Sequence, residues 1–178
     1  MWKYGSMKDT SRVFNNLPSC DLVTWTTMLN GYAMHGHGEE ALTHFEQMCQ
    51  KDFEINNVTF VCFLSACSHA GLVDEGLCYF ESMGSVYGLP ATVEHNSCMV
   101  GLLGHAGNLH EAEDIIKGMS CQPNETVWTA LLSACRIHGD LELGERLVKQ
   151  VLEREPGNAG GYVLLSNIYA AAGKWGSQ

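Results

Sequence analysis

Positive charge is scarce in this chain. Ten Lys and Arg stand against 20 Asp and Glu in 178 residues, a formal net charge of −10, and between Arg12 and Lys117 the only basic residue is Lys51. Phosphate contacts dominate most nucleic-acid affinity, so a polyanion has little here to hold it and any such binding is expected to be weak. Long apolar runs are missing too, and nothing approaches the roughly 20 residues of a membrane span. Only four prolines occur, with no low-complexity run, which leaves little room for a disordered linker. Eight cysteines invite a disulfide scaffold. Yet Cys49, Cys62, Cys67, Cys78, Cys98 and Cys135 fall on or beside predicted helices, at positions that small apolar residues occupy, which reads as buried thiols in a reducing compartment.

What is present is a repeat. Glycines recur at Gly5, Gly36, Gly71, Gly107, Gly139 and Gly173, in steps of 31, 35, 36, 32 and 34 residues. Upstream of the last five glycines stand Trp25, Phe60, Asn96, Trp128 and Tyr162, aromatic in all but one. Downstream an apolar residue returns as Phe14, Phe45, Phe80, Ile116 and Val148, and again as Leu17, Met48, Met83, Met119 and Val151. Small residues follow four of the glycines at Ala41, Gly76, Ala112 and Gly144, where two helix backbones can approach. Each unit therefore reads helix, glycine turn, helix, with glycine supplying the left-handed residue that ends the first helix. Apolar spacings of three and four give each helix one buried stripe. No single hairpin can bury that stripe, so neighbours must stack. The fold class expected is an all-α, right-handed solenoid.

The wording of the units carries a resemblance. VTWTTMLNGYAMHGHGEEALTHFEQM from Val23, VTFVCFLSACSHAGLVDEGLCYFESM from Val58 and VEHNSCMVGLLGHAGNLHEAEDIIKGM from Val93 closely resemble pentatricopeptide repeats, not tetratricopeptide repeats. Units of 35, 36 and 32 residues (22–56, 57–92 and 93–124) look like the standard, long and short variants of the plant subclass that mixes repeat lengths. The stretch 125–158 is similar to that subclass's first extension motif, and 159–178 to the opening of the second. Residues 1–21, whose Lys3, Lys8 and Arg12 superficially suggest a transit peptide, align with the later part of a short repeat. The chain reads as a fragment or truncated gene product.

The resemblance implies single-stranded RNA as partner, in mitochondria or chloroplasts, with one repeat meeting one base along a face built from the first helices. In the family the fifth and last residues of a unit read the base. Those positions are Thr26 with Asn56, Val61 with Thr92, and Ser97 with Asn124; Asp21 ends the incomplete first unit. Thr with Asn and Ser with Asn resemble adenine readers, while Val61 offers no hydrogen bond and leaves the middle unit nearly silent. The family's second position wedges between bases, a part for Val23 and Val58; the acidic Glu94 in the third unit is unsuited to it. Without the resemblance, Thr26 and Ser97 near helix starts, and Asn56 and Asn124 before them, read as caps and turns.

No catalytic site, metal or cofactor is expected. Related plant proteins continue into a zinc deaminase, which needs His-x-Glu and Cys-x-x-Cys; His44-Phe45-Glu46 matches the first by spacing alone and the second is nowhere in the chain. His35 and His37 flank a turn glycine and read as solvated, and His69 and His105 precede later turn glycines, where they face solvent or backbone phosphate. The competing functional class is a protein-interaction scaffold. Its support is the acidic surface and the region from Glu125 onward, which resembles a tetratricopeptide repeat; the RNA reading instead has a trans-acting editing or processing protein dock on 125–178, whose acidic run Asp140, Glu142 and Glu145 suits a basic partner.

Overall fold

A computed structural model describes residues 20–51 and 53–154, together with Ser11, Arg12, Phe14, Asn16 and Val163. Eight helices and no strand occur among them. They are α1 (Leu22–Met34), α2 (Gly38–Gln50), α3 (Asn57–Ala70), α4 (Val73–Ser85), α5 (Val93–Ala106), α6 (Leu109–Gly118), α7 (Glu125–His138) and α8 (Leu141–Arg154). The chain divides into two compact units, 1–91 and 92–178. Gly5, Leu17, Gly173 and Tyr162 lie outside the described residues.

Within every hairpin the same turn reverses the chain. Gly36, Gly71, Gly107 and Gly139 have φ of 69°, 72°, 86° and 74°, the left-handed region that costs a residue with a Cβ about 1–2 kcal/mol. The residue after each donates its N–H five residues back: His37 to Tyr32, Leu72 to Cys67, Asn108 to Leu103 and Asp140 to Cys135, all at 3.0 Å except Asn108 at 2.9 Å. This closes the carbonyls left open at a helix end. The four described glycines of the periodic series are therefore helix terminators.

In the first unit α1 packs along α3, and α2 and α4 also pack on α3. Phe45 of α2 stacks on Phe63 of α3 at 4.3 Å and meets Phe60 edge-on at 5.4 Å. Leu29, Met48, Leu64 and Met83 complete a core from which water is excluded. Burial of each such side chain is worth about 1.5–3 kcal/mol. Gly38, which the repeat pattern did not mark, is required by packing: a Cβ there would collide with that of Ala70. In the second unit α5 packs along α7, with Met99, Leu102, Leu103, Leu131, Leu132, Leu147 and Val148 buried. Gly104 lets α5 approach Ala134, where an added Cβ would sit 2.8 Å from the alanine's. The small residues Ala41, Gly76, Ala112 and Gly144 are all buried.

Two polar groups inside these cores were not foreseen. Glu113 of α6 is buried, and its Oε2 accepts from Arg146 of α8 at 3.0 Å and lies 3.3 Å from Lys117. The pair ties two second helices together. His44 of α2 stacks on Trp25 at 4.4 Å, touches Phe14 and Tyr32 edge-on, and lies with Nε2 3.0 Å from the Trp25 carbonyl. The cysteines form no disulfide. Cys67 and Cys135 are buried thiols as expected, but Cys78 is exposed on α4, whose buried residues are Gly76 and Met83.

Burial lowers the pKa of His44 by removing water from its charged form, against a smaller opposing effect of the Trp25 hydrogen bond. The unfolded chain then takes up the proton more readily than the folded one. Stability is full above the ordinary value of 6.5 and falls as pH drops through it. The thermal midpoint is expected to decline between pH 7.5 and 5.5, and His44→Phe, which keeps the stack on Trp25, should flatten that part of the profile. A decline of equal depth in His44→Phe would assign it to another group.

Candidate nucleic-acid interface

Each described first helix starts under a side-chain cap. Asp21 Oδ1 accepts the Thr24 N–H at 2.9 Å, Asn56 Oδ1 that of Thr59 at 3.0 Å, and Asn124 Oδ1 that of Val127 at 3.1 Å. At α5 the arrangement is reciprocal: the Thr92 side chain accepts the backbone N–H of His95, and the Thr92 N–H donates to His95 Nδ1 at 3.1 Å. Each of these four capping residues is the last residue of a sequence unit. The cap reading of Asn56 and Asn124 is thus correct for their oxygens, and it leaves their carboxamide NH2 groups for other partners.

Thr26 is not a cap. Its hydroxyl on α1 lies 3.0 Å from the hydroxyl of Thr59 on α3, and Thr59 in turn donates to Asn56 Oδ1 at 3.2 Å. The fifth and last residues of the unit 22–56, thirty positions apart in sequence, are thereby joined through one buried threonine. Thr59 is 0% exposed. Nothing in the sequence singled it out, since one hydroxyl in an apolar stripe looks like a tolerated core residue.

Val23 and Val58 occupy the first turns of α1 and α3 and are 71% and 63% exposed. They serve no core, which is unusual for two apolar side chains at matching positions. Val61 is half-buried on α3. Thr92, at the start of the second unit, is occupied locally, donating to Glu94 Oε2 at 2.7 Å. That bond holds the Glu94 carboxyl below its usual range. Ser97 is half-buried on α5, and Asn124 is exposed ahead of α7. The buried Asn96, which replaces the expected aromatic, donates to the Thr92 carbonyl at 2.7 Å.

Charge is divided between the two kinds of helix. α1 and α3 contain no Asp, Glu, Lys or Arg, whereas α2 carries Glu39, Glu40 and Glu46, and α4 carries Asp74, Glu75 and Glu81. In the second unit Glu94 is the only acidic residue of α5 and Glu125 that of α7. Second helices therefore hold most of the negative charge. A phosphate chain lying along α1 and α3 would meet no carboxylate on either helix.

The zinc-like and histidine patterns of the sequence resolve into structure. His44, Phe45 and Glu46 do not converge: His44 is buried against Trp25, Phe45 is in the core and Glu46 is exposed. His37 pairs with Glu40 at 3.2 Å, and His35, His69 and His105 are exposed.

Family comparisons agree with the helix pairs. A model described as "PPR repeat family" matches residues 21–84, one described as "PPR repeat" matches 97–122, and one described as "E motif" matches 138–177. The chain belongs to the pentatricopeptide repeat family. The Arabidopsis thaliana pentatricopeptide repeat-containing protein At3g29230 is 45% identical over 97% of this chain and 29% of its own length. At5g40410, named mitochondrial, and DOT4, named chloroplastic, from the same plant are each 46% identical over 97% of this chain, covering 28% and 20% of those proteins. The chain thus spans under a third of these relatives. Among solved structures, pentatricopeptide repeat protein PPR10 from maize matches with a TM-score of 0.77 at 24% identity, over 94% of this chain and 25% of that one. Nuclear proteinaceous RNase P 2 from A. thaliana matches at 0.64 and 17%, over 88% and 36%. A structure of PPR10 in complex with an 18-nucleotide psaJ RNA element matches at 0.51 and 20%, over 96% and 30%. These likenesses establish the α-solenoid fold class. The family's extension motif is matched at 138–177, whereas the repeat spacing sets the first such motif at 125–158.

The caps give a direct test of how these junctions are held. Asn56→Ala and Asn124→Ala are each expected to lower stability by about 1 kcal/mol, whereas Asn→Asp at either position, which keeps the accepting oxygen, should change it by a few tenths. Urea unfolding of the four variants measures the difference.

Proposed function

We propose that this chain is an RNA-recognition segment of an organellar RNA processing or editing protein, in which the unit 22–56 reads one adenine through Thr26 and Asn56. The observation that carries the reading is the hydrogen-bonded series Thr26, Thr59, Asn56, which brings the two side chains into one polar cluster beside the exposed Val23 and Val58. A polar pair flanked by exposed apolar side chains suits a base, whose edge needs hydrogen bonds and whose face needs apolar contact. PPR10, whose fold this chain resembles, forms a complex with an RNA element, which supports the same class of ligand. Relatives named mitochondrial and chloroplastic support an organelle.

Ser97 and Asn124 are proposed as a second adenine-reading pair. Val61 with Thr92 is proposed as a silent one, since the Val61 side chain has no hydrogen-bonding group and the Thr92 hydroxyl is engaged by Glu94. Binding rests on bases more than phosphates, because α1 and α3 are uncharged. The logarithm of affinity should therefore fall with the logarithm of salt at a slope of about −1 or shallower, against about −0.7 for each phosphate neutralised on a single strand. The acidic, exposed Glu142 and Glu153 of α8 favour a further role for 125–178 in docking a basic processing or editing partner.

The test uses labelled short RNAs carrying two adenines one uridine apart, with either adenine replaced by guanine. The chain is expected to prefer adenine at both places, and Asn56→Asp should move the preference at one place only, towards guanine. Indifference of the wild-type chain to both replacements would remove Thr26 and Asn56 from the site.

A further inference from the structure

We infer that Thr59, a residue of the following unit that touches no ligand itself, is the positioning residue that sets the hydrogen-bonding pattern offered by Thr26 and Asn56. The inference rests on the reading of those two as a base-reading pair. It begins from the fate of a hydroxyl. Thr27 and Thr43, also on helices, donate to carbonyls one turn back in their own helix, Val23 at 2.8 Å and Glu39 at 3.0 Å. That is the common local bond for a helical threonine. Thr59 is hydrogen-bonded elsewhere: it reaches back to the cap residue Asn56 and across to Thr26 on a different helix.

The protons can be followed. The Thr59 amide donates to Asn56 Oδ1 at 3.0 Å, which fixes that atom as the oxygen of the carboxamide. The Thr59 hydroxyl donates to the same oxygen at 3.2 Å. Its single proton is then occupied, so in the 3.0 Å contact with Thr26 it can only accept, and the Thr26 hydroxyl is the donor. Two consequences follow at the surface. Asn56 presents its NH2, a donor, and Thr26 presents lone pairs, an acceptor. An acceptor beside a donor complements the amino group and neighbouring ring nitrogen of adenine. Replacing Asn56 by Asp would leave two acceptors, which complement the adjacent N–H groups of guanine.

The same device stands at the preceding junction, where Thr24 donates its N–H and its hydroxyl to Asp21 Oδ1 at 2.9 and 2.7 Å. It is missing at Asn124, where the equivalent residue is Val127. Asn124 is therefore an internal control. Its carboxamide oxygen is held by the backbone bond without a hydroxyl from Val127, and selectivity at that unit should not depend on Thr59.

The experiment measures binding of the full 178-residue chain to the same adenine and guanine RNAs by fluorescence anisotropy, for wild type, Thr59→Val, Thr59→Ser and Asn56→Ala. Valine matches threonine in shape and keeps the amide bond to Asn56, so thermal midpoints serve as the control for folding. Thr59→Val is expected to lower the adenine-to-guanine affinity ratio at the unit 22–56 by about five- to tenfold, the equivalent of one neutral hydrogen bond, and to leave the ratio at 93–124 unchanged. Thr59→Ser should restore it. In an Asn56→Ala background Thr59→Val should have no further effect, since nothing is left to orient. A wild-type ratio in Thr59→Val, an equal fall in Thr59→Ser, an equal fall at both units, or additive losses with Asn56→Ala would each overturn the role of Thr59. Absence of any adenine preference in the wild-type chain would instead overturn the base-reading assignment beneath it, and this inference with it.

Discussion

A helix begins with amide protons that its own turns cannot satisfy, and in this chain each first helix meets that requirement with the residue that ends the preceding unit. Asp21, Asn56, Thr92 and Asn124 all stand at such junctions. Because the cap fixes the side chain by its oxygen, the rest of the group is fixed too. At Asn56 the capping bond orients the carboxamide, and orientation is what recognition of a base edge needs. Under the proposed reading, stability and recognition therefore draw on one hydrogen-bonded group, and a substitution there is felt in both.

The two helices of each hairpin answer different demands. First helices pack on first helices, α1 on α3 and α5 on α7, and stay nearly free of charge, while second helices carry most of the carboxylates. In a chain of net charge −10 this division keeps repulsion off the helices that hold the candidate site. It also sets a limit on the proposed affinity: with few cations, RNA binding of the kind proposed would come from base contacts, each modest. The relatives this chain matches are three to five times longer, and summing modest contacts over many units is how a repeat array gains affinity.

Much of the fold was legible because backbone geometry imposes it on sequence. Only glycine takes the left-handed turn without strain, so Gly36, Gly71, Gly107 and Gly139 marked the turn inside each described hairpin, and apolar spacing marked the cores. What was not legible depends on contacts between units. Gly38 looks like a helix-start residue until Ala70 is seen against it. His44 looked like half of a zinc motif, but Trp25 and Phe14 enclose it. Glu113 reads as a solvated acid, and only the return of Arg146, thirty-three residues later, explains its burial. Thr59 is the clearest case. Thr26 and Asn56 are proposed as a pair on the family's wording, whereas the residue joining them belongs to the next unit and has no signature of its own.

The central claim is that RNA lies against the uncharged first helices, at the junction held by Asn56. Amide and side-chain NMR shifts of the full chain, followed during titration with an adenine-containing single strand, test it most directly. The account predicts that the largest changes fall on Val23, Thr26, Asn56 and its side-chain NH2, and Val58, with α2 and α4 little affected. Changes concentrated on α2 and α4, or none at any RNA concentration reached, would contradict it.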